Sequence, residues 1–240
     1  MRYLICKCLL LLHQETLMNK TERKELFGIL FIPFLFLLLM WIVKIIELNF
    51  NLSFVSYGVF PKSISGLKGI FFSPFIHKDF AHLINNSYPI IILGGMLFTM
   101  YRKIAPQLFL WLFFISGFWL WIIGRPSFHI GASGIIYALA SFLLVSGFIR
   151  KNPRLSAISM VVIFLYGSMI WGVLPTKQAI SWEGHLAGLL AGILVAFFYK
   201  NEGPKRKKYQ WEIDEEIEAE LLKNNQQDFY YTLKNEDKPN

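Results

Sequence analysis

Leu26 to Val43 carries no charged residue and is interrupted only by Gly28 and Pro33. At about 1.5 Å per helical residue, a stretch of this length crosses a hydrocarbon layer of roughly 30 Å. Five further apolar stretches follow, near 82–101, 105–124, 131–149, 155–174 and 183–199. Charged residues make up 17% of the chain and hydrophobic residues 55%. That is too little charge to cover the surface of a water-soluble domain. The expected fold is an all-α membrane protein, a bundle of six transmembrane helices in one domain. Only helices and closed barrels satisfy their backbone groups inside lipid.

The net charge of +8 does not read as a nucleic-acid footprint, because the basic residues gather at the ends of the spans. Four flanks hold fifteen of them: Arg2, Lys7, Lys20, Arg23 and Lys24; Arg102 and Lys103; Arg150, Lys151 and Arg154; and Lys200 with Lys205–Lys208. Six crossings put these flanks on one side, with only six basic residues opposite, Lys44 among them. The positive-inside bias makes both termini cytoplasmic and fits a bacterial inner membrane. The expected organisation is a cytoplasmic flank over 1–25, a membrane domain over 26–200 and a soluble tail over 201–240. Residues 1–17 resemble a signal peptide without a small-residue cleavage site; Met18 as an alternative start, or a disordered flank, accounts for them better. Cys6 and Cys8 are the only cysteines, too few to close a zinc site and too close in sequence to bridge well. Residues 49–79 form a long aromatic-rich loop that reads as short, half-buried pieces in the membrane interface. In the tail, Glu212–Leu222 reads equally as a short amphipathic helix or as a solvated segment.

The polar residues within the spans are not scattered. His82 and Asn86 fall near the start of the second stretch, Ser133 in the first turn of the fourth and His185 in the first turn of the sixth. All three stretches run inward in this topology, so three separate helices bring polar groups to one depth. Intramembrane ionisable groups are costly to keep and mark functional sites. Gly131-Ala132-Ser133-Gly134 reads two ways. Small residues let helices touch; they also leave room for a substrate backbone beside a hydroxyl, next to the unsatisfied amides of a helix N-terminus. His185, Gly188 and Gly192 recur at i, i+3, i+7, and Ser133, Tyr137 and Ala140 at i, i+4, i+7. Docking those faces sets Ser133 opposite His185, with Tyr137 one turn deeper against the imidazole. No aspartate falls in a span, so the chemistry expected is a Ser-His dyad, with His185 as base and then acid. His82 and Asn86, spaced i, i+4, can both donate to a developing oxyanion, with the Ser133 N–H as a further donor. His77 reads as a brace for the site, His129 as a loop residue and Glu183 as an interfacial residue or cap.

These motifs resemble those of the rhomboid family of intramembrane serine proteases: His77-x4-His82-x3-Asn86, Gly131-Ala132-Ser133-Gly134 with Tyr137, and His185-x2-Gly188-x3-Gly192, in order on the second, fourth and sixth spans. The resemblance covers about residues 26–200. It implies Ser133 as nucleophile, His185 as base, an oxyanion site of His82, Asn86 and the Ser133 N–H, and a membrane-embedded first loop over 49–79. It also implies a lateral gate. Many members carry a Trp-Arg pair in that loop, and this chain has none there. The expected substrates are single-span membrane proteins within the lipid bilayer, cut near the outer face after local unwinding. No metal or organic cofactor is expected, and no nucleic-acid partner. Two other readings are a catalytically inactive relative that binds membrane-protein clients, and a transporter. The transporter would need ionisable groups deeper in the spans and internal repeats, which the sequence does not display.

Overall fold

The computed structural model describes residues 20–150, 152–175, 181–204 and 210–236. The readings made for residues 1–17, Cys6 and Cys8 lie outside these. Among the described residues the secondary structure is helical, with one isolated antiparallel bridge between Val59 and His129. The described residues up to Pro204 form one compact unit and those from Gln210 another.

In the first unit, α1 spans Lys20–Asn49. A run of 3-10 turns and the one-turn helix α2 (Gly69–Phe72) leads to α3 (Phe80–Met100). Then come α4 (Ala105–Ile123), α5 (Ser133–Arg150) and α6 (Pro153–Tyr166), which continues as a 3-10 segment from Gly167 to Val173, and α7 (Trp182–Phe198). Five of these elements are long and apolar enough to cross a membrane: Phe27–Asn49, α3, α4, α5 and Pro153–Val173. A shorter apolar helix, α7, has 17 residues. The 49–79 stretch is built of short helical pieces. The second unit contains α8 (Gln210–Glu236), on which Trp211, Ile217, Leu221 and Leu222 are exposed. The helix expected over Glu212–Leu222 is thus part of a longer one.

α5 occupies the centre, packed on α3, α4, α6 and α7. Ile136, Ala138, Leu139, Phe142 and Leu143 along it are buried. Lipid is as apolar as these side chains, so helix association inside a bilayer depends on close fit rather than escape from water. Small residues provide the fit between α5 and α7. A methyl group at Gly188 would overlap the Gly134 carbonyl oxygen, and one at Gly192 would overlap the Ala138 carbonyl oxygen and Ser141 Oγ. On the α6 side, the Ser159 hydroxyl, with one hydrogen to give, lies within bonding distance of the carbonyl oxygens of Leu144 (2.9 Å), Leu155 (3.1 Å) and Leu143 (3.2 Å). At the end of the bundle remote from Ser133, Arg150 at the close of α5 donates to the Tyr199 carbonyl oxygen at 2.6 Å and lies over the Tyr101 ring. The two central helices are therefore matched in register at both ends.

The stretch between α1 and α3 is fastened from α1. Lys44 and Glu47 are buried together, 3.2 Å apart. Lys44 Nζ donates to the carbonyl oxygens of His77 (2.9 Å) and Lys78 (3.0 Å), and Glu47 Oε1 accepts from the Phe54 N–H (2.9 Å). One ion pair thus grips both ends of the segment that lacks a Trp-Arg pair.

Candidate active site

Ser133 is the first residue of α5 and His185 lies in the first turn of α7. Close packing of the two helices brings Ser133 Oγ to 3.0 Å from His185 Nε2. One turn deeper, the Tyr137 ring stacks on the imidazole with centroids 4.3 Å apart and planes within 10°. The other imidazole nitrogen, Nδ1, lies 2.8 Å from the Gly172 carbonyl oxygen in the 3-10 segment. Tyr137 Oη donates to the Met169 carbonyl oxygen of the same segment at 2.6 Å.

The chain enters α5 through Gly131, whose φ of +103° is a conformation that L side chains rarely adopt. Its N–H donates to the Ser73 carbonyl oxygen at 2.8 Å. A Cβ there would meet His82 Cε1 and Nε2 at 2.7 and 2.8 Å, with Asn86 Nδ2 at 3.6 Å. The His82 imidazole and the Asn86 amide therefore lie against the backbone just before Ser133. Asn86 Nδ2 is buried and forms no hydrogen bond with the described residues. It is a ready donor facing the place where the Ser133 amide, at a helix N-terminus, also lacks an intrahelical acceptor. A cleft of about 810 Å³ opens over the pair, walled by His82, Asn86, Pro89, Tyr137, Tyr166 and Met169. A second pocket of about 30 Å³ lies behind Ser133, lined by Ser73, Ser116, His129 and Ser181 among others, with room for about one water.

The start of α3 is held by Asp79, whose carboxylate accepts the His82 N–H at 2.7 Å. That bond keeps the Asp79 carboxyl below its ordinary range. His77 is buried with its ring 5.0 Å from that of His82, and its Nδ1 is 3.3 Å from the Phe75 carbonyl oxygen. Burial, aided by the neighbouring His82, pushes the His77 imidazole down to about 3, so it is neutral at physiological pH.

Two residues differ from their sequence reading. His129 is not a simple loop residue: it is buried, bridges to Val59 through both main-chain bonds, and lies 2.6 Å from Ser181 Oγ and 3.1 Å from the Arg125 carbonyl oxygen. Burial lowers its tendency to protonate. Because the Arg125 carbonyl can only accept, His129 Nε2 carries the proton and Nδ1 accepts from Ser181. Glu183 lies in the first turn of α7, where Ser181 is the N-cap residue, and it is buried rather than solvent-facing. It is 3% exposed and pairs with Arg125 at 3.6 Å. Together these contacts tie the 124–131 loop to the entry of α7, and hence the approach to Ser133 to the helix that carries His185. Lys44 also reaches the site, through the main chain at His77 and Lys78. The i, i+3 spacing of Lys44 and Glu47 hints at a charge pair, but not at its burial or at the carbonyl groups it meets.

The Rhomboid domain family model matches residues 65–202. The chain is 33% identical over 184 residues to the uncharacterized protein Rv1337 of Mycobacterium tuberculosis, covering 72% of this chain and 75% of that protein. The same figures hold for the uncharacterized protein Mb1372 of Mycobacterium bovis. With the uncharacterized protein ML1171 of Mycobacterium leprae the identity is 32% over 205 residues, 80% of this chain and 78% of the relative. With this match spanning α3 to α7, including Ser133 and His185, the chain belongs to the rhomboid family.

Proposed function

We propose that this protein is an intramembrane serine endopeptidase that cleaves single-span membrane proteins by a Ser133–His185 dyad. The observation that supports this most is the 3.0 Å approach of Ser133 Oγ to His185 Nε2 beneath a cleft that His82 and Asn86 help to line. A hydroxyl in that position can pass its proton to the imidazole as its oxygen attacks a peptide carbonyl. The charge that develops on the carbonyl oxygen is met by donors from His82, Asn86 Nδ2 and the Ser133 N–H. His185 then returns the proton to the departing amine. Water attacks the resulting ester, its proton passing to His185, which then gives that proton to the departing Ser133 oxygen and restores the resting pair. The pocket behind Ser133 is suited to hold that water.

In this reading α7 is a sixth span, both termini are cytoplasmic, and the site opens toward the outer face of a bacterial inner membrane. The membrane domain covers 26–200, flanked by cytoplasmic segments 1–25 and 201–240. A helical substrate hides its carbonyls in its own hydrogen bonds, so local unwinding must precede attack.

The test is cleavage of a transmembrane substrate in liposomes, together with labelling by a fluorophosphonate. Ser133→Ala and His185→Ala should each abolish both while retaining the parent's thermal unfolding profile. Folded parent protein that neither cleaves nor labels would leave the inactive, client-binding reading instead.

A further inference from the structure

We propose that the main-chain carbonyl of Gly172 is the third partner of the Ser133–His185 pair, making the 3-10 segment Gly167–Val173 a positioning element for the base. This rests on the dyad reading above. A histidine that accepts a proton at Nε2 must keep its other hydrogen at Nδ1 and must be held in orientation. In the serine hydrolase triad a carboxylate does both. Here no aspartate falls within a span, and Glu183, two residues from His185, pairs with Arg125. The group at Nδ1 is the Gly172 carbonyl oxygen, 2.8 Å away. A carbonyl oxygen has no hydrogen to give, so Nδ1 must be the donor. The lone pair is then left at Nε2, 3.0 Å from Ser133 Oγ. A neutral acceptor fixes the tautomer without burying a second charge, which is costly in lipid surroundings.

The segment that supplies this carbonyl is itself located by the site. Tyr137 bonds the Met169 carbonyl oxygen through its hydroxyl and stacks on His185 through its ring. One side chain therefore touches both the base and the segment that orients it. Gly172 has no room to be anything larger: a Cβ would overlap Tyr137 Oη and come within 3.1 Å of His185 Nδ1. The segment's other side is exposed at Ile170 and Trp171, so Tyr137 and His185 are what it packs on at the site. Loss of the Gly172 acceptor would let the imidazole turn over or change tautomer.

The deciding measurement is 15N NMR of the full-length protein in detergent with labelled histidine, the His185 signals assigned by their loss in His185→Asn. The expected spectrum at neutral pH is protonated Nδ1 and bare Nε2. Protonated Nε2 with bare Nδ1 would overturn the inference without any variant having to fold. Gly172→Ala should give a mixture of tautomers, with kcat on a transmembrane substrate reduced by about tenfold or more and KM changed less than about twofold; the wrong tautomer of a triad histidine costs up to about 10⁴. A folded Gly172→Ala with parental kcat and parental tautomer would also overturn it. Fluorophosphonate labelling separates the two levels. Labelled Ser133 with protonated Nε2 removes only the Gly172 role; no labelling of the folded parent removes the dyad reading itself.

Discussion

Lys44, on the first helix, donates to the carbonyl oxygen of His77 at 2.9 Å, thirty-three residues further along the chain. Through Lys78 and the Asp79 cap, that bond fixes where α3 begins, and so where His82 and Asn86 stand. The charge is sustained by Glu47, buried beside it. Lys44→Met should therefore cost about 3–5 kcal/mol, because Glu47 is left buried without its cation. Lys44→Met combined with Glu47→Gln should cost less than the sum of the two single changes. Unfolding midpoints of the four proteins in one detergent measure this coupling; strict additivity would show that the pair acts as two unrelated groups.

His77 makes stability sensitive to acid. In the folded protein its ring protonates only at about 3, while in the unfolded chain it does so near the ordinary value of 6.5. Between these values the unfolded state binds the extra proton, so stability is fully present above about pH 6.5 and falls as pH drops toward 3. One such group gives a slope of at most about 1.4 kcal/mol per pH unit. His77→Gln should flatten the pH dependence of unfolding in that window relative to the parent. Equal slopes in the two proteins would place the sensitivity elsewhere.

The spans and the pairing of α5 with α7 were legible because both are written in side chains: apolar length, and glycine at 188 and 192 on the stripe that carries His185. The helix bounds of α3 to α5 fall within about two residues of those expected. What was not legible is written in the main chain or in distant partners. The Gly172 carbonyl has no residue-type signature. His129 looks like any loop histidine until the fold sets it between Val59, Arg125 and Ser181. Glu183 was read from its position at a span end, but its burial depends on Arg125, fifty-eight residues earlier. Lys44 counted only as a flanking charge, since nothing local shows that it turns inward to carbonyl groups.

The approach of Ser133 to His185 depends on helix separation, which makes Gly192 a remote control on the site. Gly192→Val places its side chain into the Ala138 carbonyl and Ser141 Oγ, two turns from the reacting groups. Overpacking of this kind costs about 1–3 kcal/mol. The helices must part, and a displacement near 1 Å between reacting groups lowers rates by about 10²-fold. Fluorophosphonate labelling of Ser133 should fall accordingly in a protein that remains folded. Labelling at the parental rate would mean the bundle relieves the clash on the far side of α5.

In the proposed reaction, Asn86 is the residue at which an effect on rate and an effect on stability can be told apart. Its side-chain nitrogen is buried without a hydrogen-bond partner among the described residues, an arrangement that normally costs a folded protein about 1–3 kcal/mol. If the amide is held in readiness for an oxyanion, Asn86→Ala should lower kcat by about 10²-fold while KM changes little and Ser133 still labels. Removing the unsatisfied donor should leave thermal stability equal to the parent's or higher, unlike an ordinary core truncation. A substitution that lowers stability by several kcal/mol and leaves kcat untouched would make Asn86 a packing residue. The His82 imidazole would then stand with the Ser133 N–H as the remaining donors to the substrate carbonyl.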